Sequence, residues 1–300
     1  MTELDLPDHE YLTVKELAEL LRLKERKVYD LAASGAVPCS RATGKLLFPA
    51  NEIRTWIEKA QSGGGGDAQG DASKSRTPIM LGSHDPLLDW AIRQSGCGLA
   101  TLHDGSNDGL ERFTSGEGIA AGLHILDADT NRWNVPAVSK AASRQNAVLV
   151  RFAIRRRGLV VRPGGRVPAG LHDLDGVRLV PRQAGSGTDT LFRHLAEREG
   201  VDLAALDLAD VARTEDEAVE AVRRGAAETT FGLEAVARSY GLEFVHVIEE
   251  EFALLVDRRA WFEPPFQSLM NFCATDAFRT RANAYGGYDI DRIGTVQWNA

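Results

Sequence analysis

A chain of 300 residues with 43% hydrophobic and 26% charged residues is an ordinary globular composition, long enough for one small and one larger core. A net charge of −8 argues against a protein that coats nucleic acid with its whole surface. The acidic start Met1–Asp5 is no secretory leader and no apolar run is long enough to span a bilayer, while Cys39, Cys97 and Cys273 form no paired motif. A cytoplasmic protein with buried thiols and no membrane partner is the expectation.

Local charge differs from the average. Between Arg22 and Lys45 the cations Arg22, Lys24, Arg26, Lys27, Arg41 and Lys45 face only Glu25 and Asp30, an electrostatic footprint for phosphate. Thr13 followed by Glu16 reads as a capping box, and Val14, Leu17, Ala18 and Leu21 recur at helical spacing behind it. A second helix is predicted from Lys24 to Ser34, with Val28 and Leu31 inward and Gly35 ending it. Its outward side carries Lys24, Arg26, Lys27 and Tyr29, as suits a recognition helix. Strands at Val37–Arg41 and Leu46–Phe48 joined at Thr43–Gly44 follow, and Pro49 opens a third helix with Ile53, Trp56 and Ile57 inward. The pattern over residues 1–60 is a small winged helix-turn-helix.

The stretch from Tyr11 through Trp56–Ile57, with its Val28–Tyr29 pair, Ser34–Gly35 turn and Phe48–Pro49 step, resembles the excisionase-type, MerR-like DNA-binding module. The resemblance implies that Arg26, Lys27 and Tyr29 face the groove or phosphates of double-stranded DNA and that Arg41 and Lys45 are wing contacts. Residues 61–76 are Gly, Ser, Ala, Asp, Gln and Lys with almost no apolar bulk, a composition that predicts a flexible tether.

Residues 77–300 alternate strand, glycine-bearing turn and helix, which predicts an α/β unit with mostly parallel strands. Three strand-to-helix turns stand out. Pro78–Gly82 runs into Ser83-His84-Asp85-Pro86, where Asp85 reads as an N-cap. Gly98–Leu102 runs into His103 through Gly109 with Ser106 inside, and Val177–Pro181 runs into Arg182-Gln183-Ala184-Gly185-Ser186-Gly187-Thr188. Helix N-termini expose unpaired amides and partial positive charge, so three such turns converging at the carboxyl ends of their strands are suited to an oxyanion. The candidate ligands to it are the hydroxyl or amide groups of Ser83, Ser106 and Ser186, the backbone amides of Gly187 and Thr188, and Arg182 or Gln183 at a lobe boundary.

This part of the chain resembles the periplasmic-binding-protein fold (type II), and more closely its version behind helix-turn-helix heads in molybdate- and tungstate-linked regulators. The residues that carry the resemblance are Gly82–Pro86, Gly105-Ser106 with Gly109-Leu110, Gly122–Asp127 with Asn134-Val135-Pro136, Arg182–Thr188, Gly232–Ala235 and Gly286-Gly287-Tyr288. It implies lobe I from 77–150 and 251–300, lobe II from 151–250, and molybdate or tungstate in the cleft between them, with no other cofactor. Asp189 stands where relatives carry arginine, and Asn107-Asp108 replaces a smaller, glycine-rich run.

The run Arg155–Arg157 could face the cleft, a partner or solvent, with solvent the expectation, and Glu215–Glu217 and Glu249–Glu251 look like solvated faces and a strand edge, not an acid/base pair. His84, His103 and His124 lack the spacing of a metal cage and are expected to be hydrogen-bonding residues. No nucleophile elbow, phosphate loop or complete dinucleotide fingerprint is present, because Ser186 has glycine on both immediate sides and Thr190 takes the place of the last fingerprint glycine. The expectation is therefore a transcriptional regulator, not an enzyme: a homodimer that binds promoter DNA and closes on an oxyanion. The competing readings are a regulator of another small anion or metabolite, a ligand-free architectural DNA binder, and, from the same resemblance, a molybdenum-cofactor biosynthesis accessory enzyme.

Overall fold

A computed structural model of the chain describes residues 11–21, 23–33, 35, 37–40, 45–60 and 76–300. Arg22, Ser34, Arg41, the Thr43–Gly44 turn and the 61–75 tether lie outside the described residues. The chain divides into two compact units, Met1–Ala72 and Ser73–Ala300.

The first unit runs β1 (Tyr11–Thr13), α1 (Val14–Leu21), α2 (Glu25–Ala33), β2 (Leu47–Pro49) and α3 (Ala50–Ala60). The backbone N–H of Thr13 donates to Glu16 Oε2 at 2.7 Å and that of Glu16 to Thr13 Oγ1 at 3.3 Å, a reciprocal cap that starts α1. Lys24 precedes α2 instead of opening it, its carbonyl accepting from Val28 N–H. Leu12, Leu17, Val28, Phe48 and Ile53 are fully buried in one small core. Two expectations are corrected. Strand β2 pairs antiparallel with β1, which the period-2 signal of three residues was too short to announce, and the 37–41 strand contributes only a bridge at Ser40. Cys39, beside that bridge, is exposed, whereas Cys97 and Cys273 are buried.

In the second unit the first half of the chain forms β3 (Ile79–Gly82), α4 (Pro86–Ser95), β4 (Ala100–His103), α5 (Ser106–Thr114), β5 (Ala120–Leu123), β6 (Leu126–Asp127), β7 (Arg132–Trp133), α6 (Val135–Ala142) and β8 (Ala147–Val161). The middle forms β9 (Leu179–Val180), α7 (Gly187–Arg198), α8 (Glu215–Arg223), β10 (Thr229–Leu233), α9 (Glu234–Ser239) and β11 (Glu243–Asp257). The end forms α10 (Arg258–Trp261), α11 (Pro264–Cys273), α12 (Asp276–Tyr285), β12 (Tyr288–Asp289) and β13 (Val296–Asn299).

Among the described residues these strands build one nine-stranded sheet in the order β4-β3-β5-β11-β8-β10-β9, with β12 and β13 also on β8. The expectation of mostly parallel pairing fails. Only β3 with β4, β3 with β5 and β9 with β10 are parallel, while β5–β11, β11–β8, β8–β10, β12–β8 and β13–β8 are antiparallel. The chain crosses between the lobes twice, along the 15-residue strands β8 and β11, and opposite travel makes that pair antiparallel. The lobe limits expected at 150 and 250 fall inside these strands.

Each lobe packs helices on both faces of its part of the sheet. Lobe I buries Phe152, Phe252 and Phe278 on one face and Phe113, Leu123 and Leu255 on the other; lobe II buries Leu159, Phe192 and Phe231 on one and Val160, Val219 and Leu233 on the other.

Helix α5 lies almost on the backbone of β3. A Cβ at Gly109 would come within 2.2 Å of Gly82 Cα, and Gly82 itself holds φ +94° with room for no side chain before the Gly122 carbonyl. This close approach sets where Ser106 meets Ser83. Gly109→Ala is expected to lower stability by about 1–3 kcal/mol or more through overpacking; a urea midpoint equal to the parent's would show that α5 has room to retreat.

Candidate functional site

The three predicted turns do meet in one place. Ser83, Gln183, Ser186, Gly187, Thr188 and Arg182 line one cavity of about 320 Å³, together with His103, His124 and the Arg213–Asp216 segment. A second cavity of about 300 Å³ adjoins it, sharing Gly105, Gln183, Ser186, Gly187 and Arg213 and adding Ser106.

Ser106 is 1% exposed and its role is different from the expectation. Its Oγ accepts from the His124 backbone N–H at 2.9 Å and lies 2.8 Å from Ser83 Oγ. Either hydroxyl can donate in the Ser83–Ser106 bond, and when Ser106 donates the Ser83 hydroxyl hydrogen is free for the cavity. Ser106 thus positions Ser83.

Helix α7 opens on the cavity with Ser186 as N-cap, whose Oγ accepts from Asp189 N–H at 3.2 Å. The next two amides, Gly187 and Thr188, have no acceptor among the described residues. Helix α8 opens on the same cavity, a convergence that was not expected. Thr214 Oγ1 caps Glu217 N–H at 3.1 Å, and Glu217 Oε2 accepts from Arg213 N–H at 2.7 Å. The Thr214-x-x-Glu217 spacing announced this cap locally; nothing local announced its direction.

Asp189 turns away. Its carboxylate pairs with Arg193 at 3.0 Å and accepts from Gly185 N–H, so it stiffens the loop outside the cavity wall. Arg182 donates to the Ala212 and Arg213 carbonyls and to Glu215, so its guanidinium is already engaged in lobe II, and burial pulls its pKa down. Arg213 makes no ion pair among the described residues and stands exposed between the two cavities.

The arginine run is not a solvated face. Strand period 2 puts Arg155 and Arg157 on one face of β8, both buried, and Arg156 on the other, where it pairs with Glu234 at 2.7 Å. Register places Glu250 opposite Arg155. Glu250, fully buried, holds both Arg155 and Arg157, the latter at 2.8 Å; Arg155 also meets Asp85 at 3.0 Å, and Arg157 meets Glu215 at 3.1 Å. Tyr288 Oη donates to Asp85 Oδ2 at 2.7 Å, and Arg155 lies over the Phe252 ring. Arg155, Arg157 and Arg182 are thereby matched by Asp85, Glu215 and Glu250. Burial pushes the Glu250 carboxyl upward, but Arg155 and Arg157 outweigh it and hold it well below the usual range. Glu215 is lowered in the same way by Arg157 and Arg182.

His103 packs edge-on against His84, ring centroids 5.5 Å apart, and burial, then His84, lowers its pKa. Among the described residues no group of His, Cys, Asp and Glu has the arrangement of a metal site, and no helix is long and apolar enough to cross a membrane.

In the first unit Lys24, Arg26, Lys27 and Lys45 are exposed and Tyr29 is 54% exposed, on and beside α2. They leave its buried face to Val28 and Ala32, with Leu31 only half-buried.

Residues 89–274 match the PBP superfamily domain and residues 11–61 a helix-turn-helix domain. The chain belongs to the PBP superfamily. It is 21% identical over 299 residues to the uncharacterized protein YvgK of Bacillus subtilis (strain 168), covering 95% of this chain and 96% of that one. Among solved structures, the Corynebacterium glutamicum OxyR C206 mutant is similar with a TM-score of 0.50 at 12% identity, over 91% of this chain and 89% of that one, which shows the fold alone. A putative phosphate ABC transporter substrate-binding protein from Clostridium perfringens, solved with bound phosphate, reaches a TM-score of 0.48 at 12% identity over 72% and 98% of the two chains. The PBP-like unit is therefore a two-lobed binding fold carried behind a helix-turn-helix.

Removing one partner of a buried ion pair strands the others, so Glu250→Gln is expected to cost the PBP-like unit about 3–5 kcal/mol. Because the folded pKa of Glu250 lies below its unfolded value, its contribution is fully present above pH ~4.3 and is lost as pH falls through the depressed folded value. Urea denaturation from pH 7 to 3 checks both statements: the variant starts lower and loses less on acidification. Parallel curves would remove Glu250 from the acid transition.

Proposed function

We propose that this protein is a ligand-responsive DNA-binding regulator whose cleft closes on a small oxyanion, of the molybdate or tungstate kind. The observation that carries the reading is the free Gly187 and Thr188 amides at the start of α7, facing one cavity with the Ser83 and Ser186 hydroxyls and the start of α8. Neutral donors of this type are preorganised for an anion, and they strengthen wherever closure of the cleft expels water and lowers the local dielectric. Arg157 and Arg182 in the wall are already matched by carboxylates, which leaves exposed Arg213 as the wall arginine without an ion pair among the described residues.

Binding suits the site better than chemistry. The His124 imidazole has a carboxylate beside it, yet among the described residues no serine hydroxyl is hydrogen-bonded to that ring. One observation favours a second reading, a small organic anion: a volume of about 320 Å³ holds about ten waters, and Pro86, Leu233 and Val236 add apolar wall.

In the first unit, exposed Arg26 and Lys27 on α2 support binding in the major groove or at its phosphates. A single short head reads few bases, which is the ground for proposing a homodimer with two heads on DNA. If lobe closure alters DNA affinity, DNA must alter anion affinity by the same factor.

Thermal denaturation with molybdate, tungstate, sulfate and phosphate at equal ionic strength tests the ligand. An anion at 100 times its Kd adds about 2.7 kcal/mol to the PBP-like unit, and no response to any of the four rejects the oxyanion. For the head, the Arg26→Ala, Lys27→Ala double variant is expected to bind DNA more weakly at all sequences and to reduce the salt slope by about 1 for each phosphate that the variant no longer neutralises. An unchanged slope in a fluorescence-anisotropy titration moves recognition off α2.

A further inference from the structure

His124, expected from the sequence to be a hydrogen-bonding residue, is 6% exposed. Its backbone is fixed on both sides. The N–H donates to Ser106 Oγ, and the next residue, Ile125, exchanges 2.7 Å hydrogen bonds with Asn134 through its N–H to Oδ1 and its carbonyl to the Asn134 N–H. Its ring spans the lobes. Nδ1 lies 3.0 Å from Glu250 Oε2, while Cε1, between the two ring nitrogens, lies against Gly187 at the start of α7, where a Cβ would come within 2.8 Å of it.

The tautomer follows from the neighbours. The buried Nδ1 makes no hydrogen bond of good geometry among the described residues, and the group beside it is Glu250 Oε2 at 3.0 Å, kept ionised by Arg155 and Arg157, so the tautomer with its hydrogen on Nδ1 is the favoured one. In that neutral ring Nε2 is a bare lone pair, and it belongs to a side chain that lines the cavity. The charged groups around the ring are Glu250 on β11, Arg155 and Arg157 on β8, and on α7 its positive amino end with His194 across a small adjoining cavity; the Phe252 ring covers one side at 6.3 Å. Burial first, against the pull of Glu250 and with the two arginines, keeps the ring neutral before an anion arrives.

A fully deprotonated oxyanion offers acceptors only. Set against Nε2 it would face lone pair with lone pair, and on this inner side of the cavity its double charge would meet neutral donors and Arg157, which is already matched by Glu215 and Glu250, while Arg213, without an ion pair among the described residues, stands exposed at the boundary with the second cavity. A single proton on Nε2 removes the clash and adds a charge at that point. We propose that His124 is the counter-charge of the cleft: it takes one proton from solution onto Nε2 as a doubly charged oxyanion settles beside it, and donates that proton to the anion. The inference rests on the oxyanion reading above and deepens it, since it makes anion binding a proton-linked event and His124 a determinant of which charge state is held.

The test is isothermal titration of the full chain with sodium molybdate, sodium tungstate and sodium sulfate at pH 7 in three buffers of different ionisation enthalpy, repeated across pH. Proton uptake approaching one per anion bound is expected, with affinity falling by up to about tenfold per pH unit between the lowered value of the free ring, below pH ~6.5, and the raised value of the complex, the slope for one linked proton. In His124→Gln, whose amide is a donor that does not titrate, uptake disappears and the pH profile flattens; His124→Asn serves as the second variant should the first unfold. Wild-type binding with no buffer dependence and a flat pH profile overturns the proton linkage and leaves the oxyanion reading standing. Uptake that survives in both variants overturns the assignment to His124. Failure of the wild type to bind any of the three anions overturns the oxyanion reading and this inference with it.

Discussion

The antiparallel crossing of β8 and β11 is the constraint from which the rest of the PBP-like unit follows. At its centre Glu250 is held by Arg155 and Arg157 in a fully buried position. Both strands are apolar on either side of this point. Phe152 and Ala153 with Phe252 and Ala253 belong to the cores of lobe I, and Leu159, Val160 and Val161 to those of lobe II. The charges therefore sit where one core ends and the next begins. Ions in that position are costly to bury unless each keeps its partner, so the seam stays a seam, and the two lobes keep separate hydrophobic cores along shared strands.

That arrangement dictates the chemistry of the cleft. Since Arg157 and Arg182 are spent on Glu215 and Glu250, the positive potential left at the cavity is that of Arg213 and of the amino end of α7, while the first turn of α8 carries Glu215, Asp216 and Glu217. A small residue at the start of α7 is a steric need. Gly187 lets the His124 ring lie against backbone, which brings lobe I up against lobe II at the mouth of α7. Ser106 has the same character in lobe I: it sacrifices its own exposure to aim Ser83 and to hold the His124 amide.

Local chemistry was legible in the sequence and pairing was not. Thr13 with Glu16, Asp85 before Pro86, and Ser186 before Gly187 each act within a few residues, and each forms the cap that its spacing implies. The loop Arg182–Thr188 was likewise readable as a helix opening because its glycines and hydroxyls serve that one turn. Arg155–Arg157 and Glu249–Glu251 are different. Each run alone looks like solvated charge, and only the register that sets Arg155 against Glu250 turns them into a core element. Strand direction was hidden for the same reason, because strand and helix alternation reports order along the chain and not which strand becomes whose neighbour. The second helix opening at α8 shows the limit most clearly: its cap was visible, its convergence on the α7 opening is a property of the sheet.

The ion chain also restricts how the cleft can move. From the cavity inward the pairs run Glu215 to Arg157, Arg157 to Glu250, Glu250 to Arg155, Arg155 to Asp85 and Asp85 to Tyr288 on β12. Glu215 is the first residue of α8 and also accepts from Leu233 N–H at 2.6 Å, so α8, β10 and this end of the network form one body. A lobe II displacement that pulled Glu215 from Arg157 would leave a buried guanidinium short of one carboxylate, a cost of several kcal/mol. Rotation that carries Arg157, Glu215 and Arg182 together avoids it. The strain of closure then falls on the segments of β8 and β11 nearest Glu250, where β11 already departs from regular register between His246 and Ile248 and between Phe252 and Ala253. A hinge about these two irregular points on the paired ribbon is a motion that would keep the ion pairs whole.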